Sequence, residues 1–177
     1  MDNHIVPECY IDTVLVKTLV PPTNRYNHQH GCFAVSNEME RGGLKDQFAL
    51  GIIDNDKKKA KYLNEFFEID NGGSSVKLLK HKSDPQYFIQ ISPAIEVWIL
   101  EVCEQEKIDL AEFGLPSNLN DLKWVTKPQT SSTDKRFIDL FSQFKKSQNK
   151  SVAKLIGWIK LLKEKNYQVE IKELQNV

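Results

Sequence analysis

Residues 47–54 read Gln-Phe-Ala-Leu-Gly-Ile-Ile-Asp, an apolar run without alternation that stops on a carboxylate. A strand with one face in water alternates apolar and polar side chains, whereas an unbroken run marks a strand covered on both faces. Strands of that kind belong to parallel or mostly parallel sheets flanked by helices. The preceding residues agree. Residues 4–6 read as a short strand, and Ile11, Val14, Leu15, Thr18 and Leu19 follow at helical spacing. Residues 32–43 read as a second helix closed by Gly42 and Gly43. Strand, helix, helix, strand is a β/α alternation, so the expected fold class is α/β with a mostly parallel sheet.

The rest of the chain is expected to add a helix over 59–69 and strands over 76–82 and 86–91, joined by the turn Ser83-Asp84-Pro85. Pro93 then reads as the opening of a helix over 93–105, a tolerated place for proline. Residues 109–133 read as irregular, and helices are expected over 134–147 and 151–166. In the second of these, Val152, Leu155, Ile156, Ile159 and Leu162 share one face. Residues 167–174 read as a last edge strand. The reading divides the chain into a domain over 1–108 and a small helical C-terminal extension over 109–177 packed on it.

Lysine plus arginine equals aspartate plus glutamate, 24 each, so the net charge is zero. That balance argues against a uniformly basic nucleic-acid coat and leaves a local basic groove open. The 3 cysteines are widely spaced, with no CxxC, which suits reduced thiols. With no signal-peptide pattern and no apolar run of the roughly 18 to 20 residues a membrane helix needs, a cytoplasmic protein without a membrane partner is expected.

The chemistry concentrates in acidic residues at strand ends. Glu8 ends the first strand, and Asp54 and Asp56 end the second. Asp12 lies one helical turn beyond Glu8, so the two can face the same way. Ligands of open α/β sheets bind at the carboxyl ends of the strands. Carboxylates crowded there repel one another unless a hard cation, Mg²⁺ or Mn²⁺, neutralises them. Taken alone, Asp54 and Asp56 also read as an ordinary turn, and Asp12 as a first-turn acid favoured by the helix dipole.

A strand ending in Glu, a helix, and an apolar strand ending in Asp-x-Asp resembles the TOPRIM signature of topoisomerases, primases, small ribonucleases and OLD-type nucleases. The match is Ile-Val-Pro-Glu-Cys-Tyr-Ile-Asp over 5–12 with Gly-Ile-Ile-Asp-Asn-Asp over 51–56. Residues 92–100, Ser-Pro-Ala-Ile-Glu-Val-Trp-Ile-Leu, resemble the Pro-x-x-Glu-x-Trp-Leu-Leu segment of RloB-like small TOPRIM proteins of bacterial defence loci. The resemblance spans about residues 3–104. It departs at Cys9, where the family usually has glycine, and at Pro7 before the glutamate.

The resemblance implies a Mg²⁺- or Mn²⁺-dependent nuclease cleaving DNA or RNA phosphodiesters, within an anti-phage or restriction-type system with an ATPase or restriction partner protein. It assigns metal to Glu8, Asp12, Asp54, Asp56 and Glu96, and catalysis to Glu8, Asp54, Asp56 and Glu96, with Trp98 packing beneath. Two other readings compete: a TOPRIM-derived subunit that binds nucleic acid or a partner without catalysis, and another metal-dependent phosphoryl or nucleotidyl transferase.

Lys57, Lys58 and Lys59 read as a solvated face or, beside a metal cluster, as phosphate contacts. His28, His30 and Cys32 invite a zinc reading, but no second ligand pair has suitable spacing, so an ordinary polar loop is expected. Trp98, Trp124 and Trp158 read as core, as do Phe137, Phe141 and Phe144 on one helical face. Lys135, Arg136, Lys145 and Lys146 make the other side of that helix basic, a weak nucleic-acid contact.

Overall fold

The computed structural model describes residues 2–21, 25–55, 60–71 and 75–177, so the expected site residues Asp56, Lys57, Lys58 and Lys59 lie outside the described residues. A five-stranded sheet forms from β1 (Ile5–Pro7), β2 (Ala49–Asp54), β3 (Phe66–Asp70), β4 (Val76–His81) and β5 (Gln86–Ile91). Its spatial order is β1-β2-β5-β4-β3. β2 pairs in parallel with β1 and with β5, while β4 runs antiparallel to both β5 and β3. Among the described strands only β4 is reversed, so the sheet is mixed with a mostly parallel sense. Around it lie α1 (Tyr10–Leu19), α2 (Cys32–Glu40), α3 (Ile95–Glu106), α4 (Leu119–Thr126), α5 (Lys135–Phe144), α6 (Lys150–Lys165) and α7 (Ile171–Gln175).

The unbroken apolar run of β2 is buried on both sides. Leu50 and Ile52 join a large cluster with Leu15 of α1, Trp98 of α3, Phe137 and Phe141 of α5, and Leu155 and Trp158 of α6. Ala49 and Ile53 point the other way, into a smaller cluster with Val35 and Met39 of α2 and with Tyr62, Phe66 and Phe88. The large cluster thus runs without a break from the strands into residues 137–174.

Gly51, in the middle of β2, pairs with Phe88 across the parallel ladder. A Cβ there would come within 2.4 Å of the Phe88 ring and 3.0 Å of the Met39 sulfur. Gly51→Ala is therefore expected to destabilise the fold by about 1–3 kcal/mol through overpacking, read as a lower urea midpoint.

Several segments differ from their sequence reading. The helix expected over 59–69 is a 3₁₀ turn at Lys61–Glu65 followed by strand β3. Pairing with β4 overrides helical spacing there, and a register irregularity between Glu68 and Asp70 breaks the alternation that would have marked a strand. Pro93 stays outside α3, which starts at Ile95. The stretch read as irregular contains α4, whose first turn is capped by the Asn118 side chain accepting from Asp121 N. The expected last strand is instead a 3₁₀ turn and α7, where Glu170 and Glu173 form a reciprocal cap and Leu174 O accepts from Trp158 Nε1 at 3.0 Å. Trp98 and Trp158 are core, but Trp124 is 77% exposed. Among the described residues no helix is long and apolar enough to cross a membrane.

Candidate metal centre

β1 runs straight into α1, and the junction carries Glu8. Its backbone N–H donates to Ile52 O at 2.9 Å, continuing the pairing with β2 by one residue. Cys9 then caps α1 in a reciprocal arrangement: Asp12 N donates to Cys9 Sγ at 3.5 Å and Cys9 N donates to Asp12 Oδ2 at 3.1 Å. Asp12 is thereby turned inward and is only 1% exposed.

β2 delivers Asp54 beside this junction. The Glu8 carboxylate Oε2 accepts from Asp54 N at 2.8 Å, so the two ends are tied together. Asp54 Oδ1 in turn accepts from Ile95 N at 2.9 Å. Ala94, at the start of α3, offers no side-chain acceptor, and the aspartate of the neighbouring strand serves as the cap instead. Glu96 follows one residue later, 8% exposed, with Oε1 accepting from Thr126 Oγ1 of α4 at 2.6 Å.

Three parallel strands therefore bring Glu8, Asp12, Asp54 and Glu96 to one edge, in reach of each other's charge. Burial pushes the Asp12 carboxyl up to about 8, and the charges of Glu8 and Glu96 add to the rise against hydrogen bonds from Cys9. Burial likewise pushes Asp54 up to about 9, with Asp12, Glu8 and Glu96 reinforcing it and the Ile95 N–H opposing. Such a pair holds protons that an isolated carboxylate gives up.

Whether a hard cation suits this place can be judged from its donors. They are oxygens throughout, and Asp12 Oδ1 and Asn55 Oδ1 are buried without a hydrogen-bond partner among the described residues. Among the described residues no three His, Cys, Asp or Glu side chains already stand in metal-binding geometry. Asp56, the further expected ligand, lies outside those residues. The chemistry of the donor set fits Mg²⁺ or Mn²⁺.

A cavity of about 350 Å³ opens beside the cluster, lined among others by Cys9, Asp54, Glu96, Thr126, Lys123 and Lys127. The last three residues come from the stretch whose sequence looked irregular. The signal was present in Asn118-x-x-Asp121, a helix-start pattern, but the pairing of Thr126 with Glu96 depends on how α4 packs on α3. Cys9 is no ready nucleophile: burial, then the charge of Asp12, pushes its thiol well above the usual range.

His28 and His30 pack as rings. His28 stacks on Tyr10 at 4.4 Å and meets His30 edge-on at 4.8 Å, with Nδ1 at 3.1 Å from Thr13 Oγ1. Burial, then the His30 charge, lowers the His28 pKa. Cys32 is buried at the start of α2.

No family model, curated protein or solved structure matches the chain.

Proposed function

We propose that this protein is a divalent-metal-dependent nuclease on a TOPRIM-like scaffold, hydrolysing nucleic-acid phosphodiesters. The carrying observation is the convergence of Glu8, Asp12, Asp54 and Glu96 at one strand edge, where two of the carboxyls hold protons far above their ordinary range. The proposed setting is a cytoplasmic, bacterial anti-phage or restriction-type system with an ATPase or restriction partner; this part rests on the motif resemblance alone.

Glu8, Asp12, Asp54 and Glu96 would hold Mg²⁺ or Mn²⁺, with Asp56 as a further ligand. Such a cation, when bound, activates water and stabilises the charge that develops on a phosphoryl group. The chain's own groups prepare the place. The Ile95 N–H and the Thr126 hydroxyl fix the carboxylates of Asp54 and Glu96. Lys123 and Lys127 line the adjoining cavity, where they can meet a phosphate backbone.

A binding-only module is the second reading. It is favoured by the helix-capping bonds already made by Asp12 and Asp54, and by Cys9 in place of the glycine. Labelled DNA and RNA incubated with Mn²⁺, Mg²⁺ or EDTA separate the readings. Cleavage abolished by EDTA supports the nuclease, metal binding without cleavage supports the module, and turnover only with a nucleoside triphosphate points to nucleotidyl transfer.

Metal dependence should also register in stability. Asp12 and Asp54 have folded pKa values raised from 3.8 to about 8 and about 9, so between those values the folded state binds more protons than the unfolded. Their contribution is complete below pH 3.8 and is lost as pH rises through the folded values. Without metal, this pair is expected to pull the melting temperature down as pH climbs. Mn²⁺ binds the deprotonated form, so the metal-induced rise should widen over the same range. Melting curves with and without Mn²⁺ at a series of pH values measure it; a constant gap would count against these two ligands.

A further inference from the structure

α4 carries an unusual combination at the mouth of the carboxylate cavity. Lys123 of α4 and Lys127, the residue that caps its C-terminus, both line that cavity, four residues apart. Among the described residues neither lies within salt-bridge distance of a carboxylate. Trp124 flanks them, three residues before Lys127, and keeps 77% of its surface in water. Its ring has no aromatic or cationic partner among the described residues, whereas Trp98 and Trp158 are 0% exposed.

A large flat ring left in solvent, near in sequence to two cations that line a cavity floored by carboxylates, has the parts of a single-strand grip. Lysines track the phosphates, and the indole face offers a stack to an unpaired base. A duplex keeps its bases stacked on one another and has none to spare for the ring. A protein partner would use the ring equally well, but it would not need two cations, without a carboxylate partner among the described residues, lining a carboxylate cavity.

We infer that α4 is a binding edge for single-stranded nucleic acid, with Trp124 stacking on a base next to the phosphate presented to the cavity and Lys123 and Lys127 neutralising the flanking backbone. This deepens the nuclease reading and rests on it for what the cavity does. The binding itself can be tested separately.

The test uses the Asp54→Asn protein in Mg²⁺, so that bound strand is not consumed, with fluorescein-labelled oligonucleotides of about 12 nucleotides, the span of one typical single-strand site. Deoxy and ribo single strands are compared with the corresponding duplexes. Single strand is expected to bind at least about tenfold tighter than duplex and to quench the emission of the exposed Trp124. Adding Trp124→Ala should weaken single-strand binding about tenfold, the size of one base–aromatic stack, while leaving the melting temperature alone; Trp124→Phe should recover most of it. Lys127→Ala should flatten the salt dependence by about one phosphate contact, without erasing the quench.

Equal affinity for duplex and single strand, no binding to either, or Trp124→Ala without effect would overturn the inference. Wild-type cleavage unaffected by Trp124→Ala would remove the grip and leave the nuclease standing. Trp124-dependent single-strand binding by a wild-type protein that never cleaves would do the reverse.

Discussion

Asp54→Asn is expected to abolish metal-dependent turnover, by at least about 10²- to 10³-fold, as deletion of one strong electrostatic contributor to a transition state does. The substitution is nearly isosteric, and its side-chain oxygen can still accept the Ile95 N–H that starts α3. What disappears is a titrating carboxyl that burial, reinforced by the charges of Asp12, Glu8 and Glu96, pushes up to about 9. Metal-free Asp54→Asn protein should therefore melt close to the wild type below about pH 3.8 and increasingly above it as pH rises toward about 9, because the wild type alone loses the contribution of the protonated Asp54 over that range. The Mn²⁺-induced rise should collapse. Lost turnover with an intact fold and no metal response is the expected triplet; a retained Mn²⁺ response would remove Asp54 from the metal site.

Glu96→Gln is the second large effect. Glutamine keeps an oxygen for the Thr126 hydroxyl, now 2.6 Å from Glu96 Oε1, so the contact between α3 and α4 survives. If Glu96 did no more than favour the start of α3, the cost would be about 0.3–1 kcal/mol of stability with full turnover. As a metal-holding carboxylate it should cost turnover by orders of magnitude instead. Thr126→Val is the companion. It strips a buried carboxylate of its donor and should destabilise by about 1–3 kcal/mol. Comparing kcat with the melting curve for both variants separates the charge from the packing. Glu96→Gln at full turnover would leave the narrower family resemblance with little under it.

How much of this could be read from residues alone depended on whether the cause was local. The unbroken run of Leu50, Ile52 and Ile53 forces burial on both faces, and burial on both faces makes parallel neighbours expected. Parallel neighbours put Glu8 and Asp54 at one edge before any coordinate is known. Residues 135–144 and 150–165 carried long apolar stripes, and helices formed there. β3 was hidden because its irregularity between Glu68 and Asp70 destroys the two-residue period. The segment ending in Leu174 alternates like a strand, but the mutual cap of Glu170 and Glu173 and the bond from Trp158 hold it as a helix. Trp124 was misjudged because hydrophobicity says what a ring would gain by burial, not whether a partner surface exists. Thr126 joining Glu96, 30 residues away in sequence, is a tertiary event with no local sign.

The packing of α1 against α5 has a bearing on how the protein comes into being on the ribosome. Val14, Leu15 and Leu19 of α1 share their cluster with Phe137, Leu140 and Phe141. Those partners are made about 120 residues later, which at typical synthesis speeds is on the order of 10 s. Until then the helix bearing Asp12 has no complete surface to settle on. The acidic centre is consequently among the last parts to acquire its shape, so the cutting site proposed for it stays unassembled in a nascent chain.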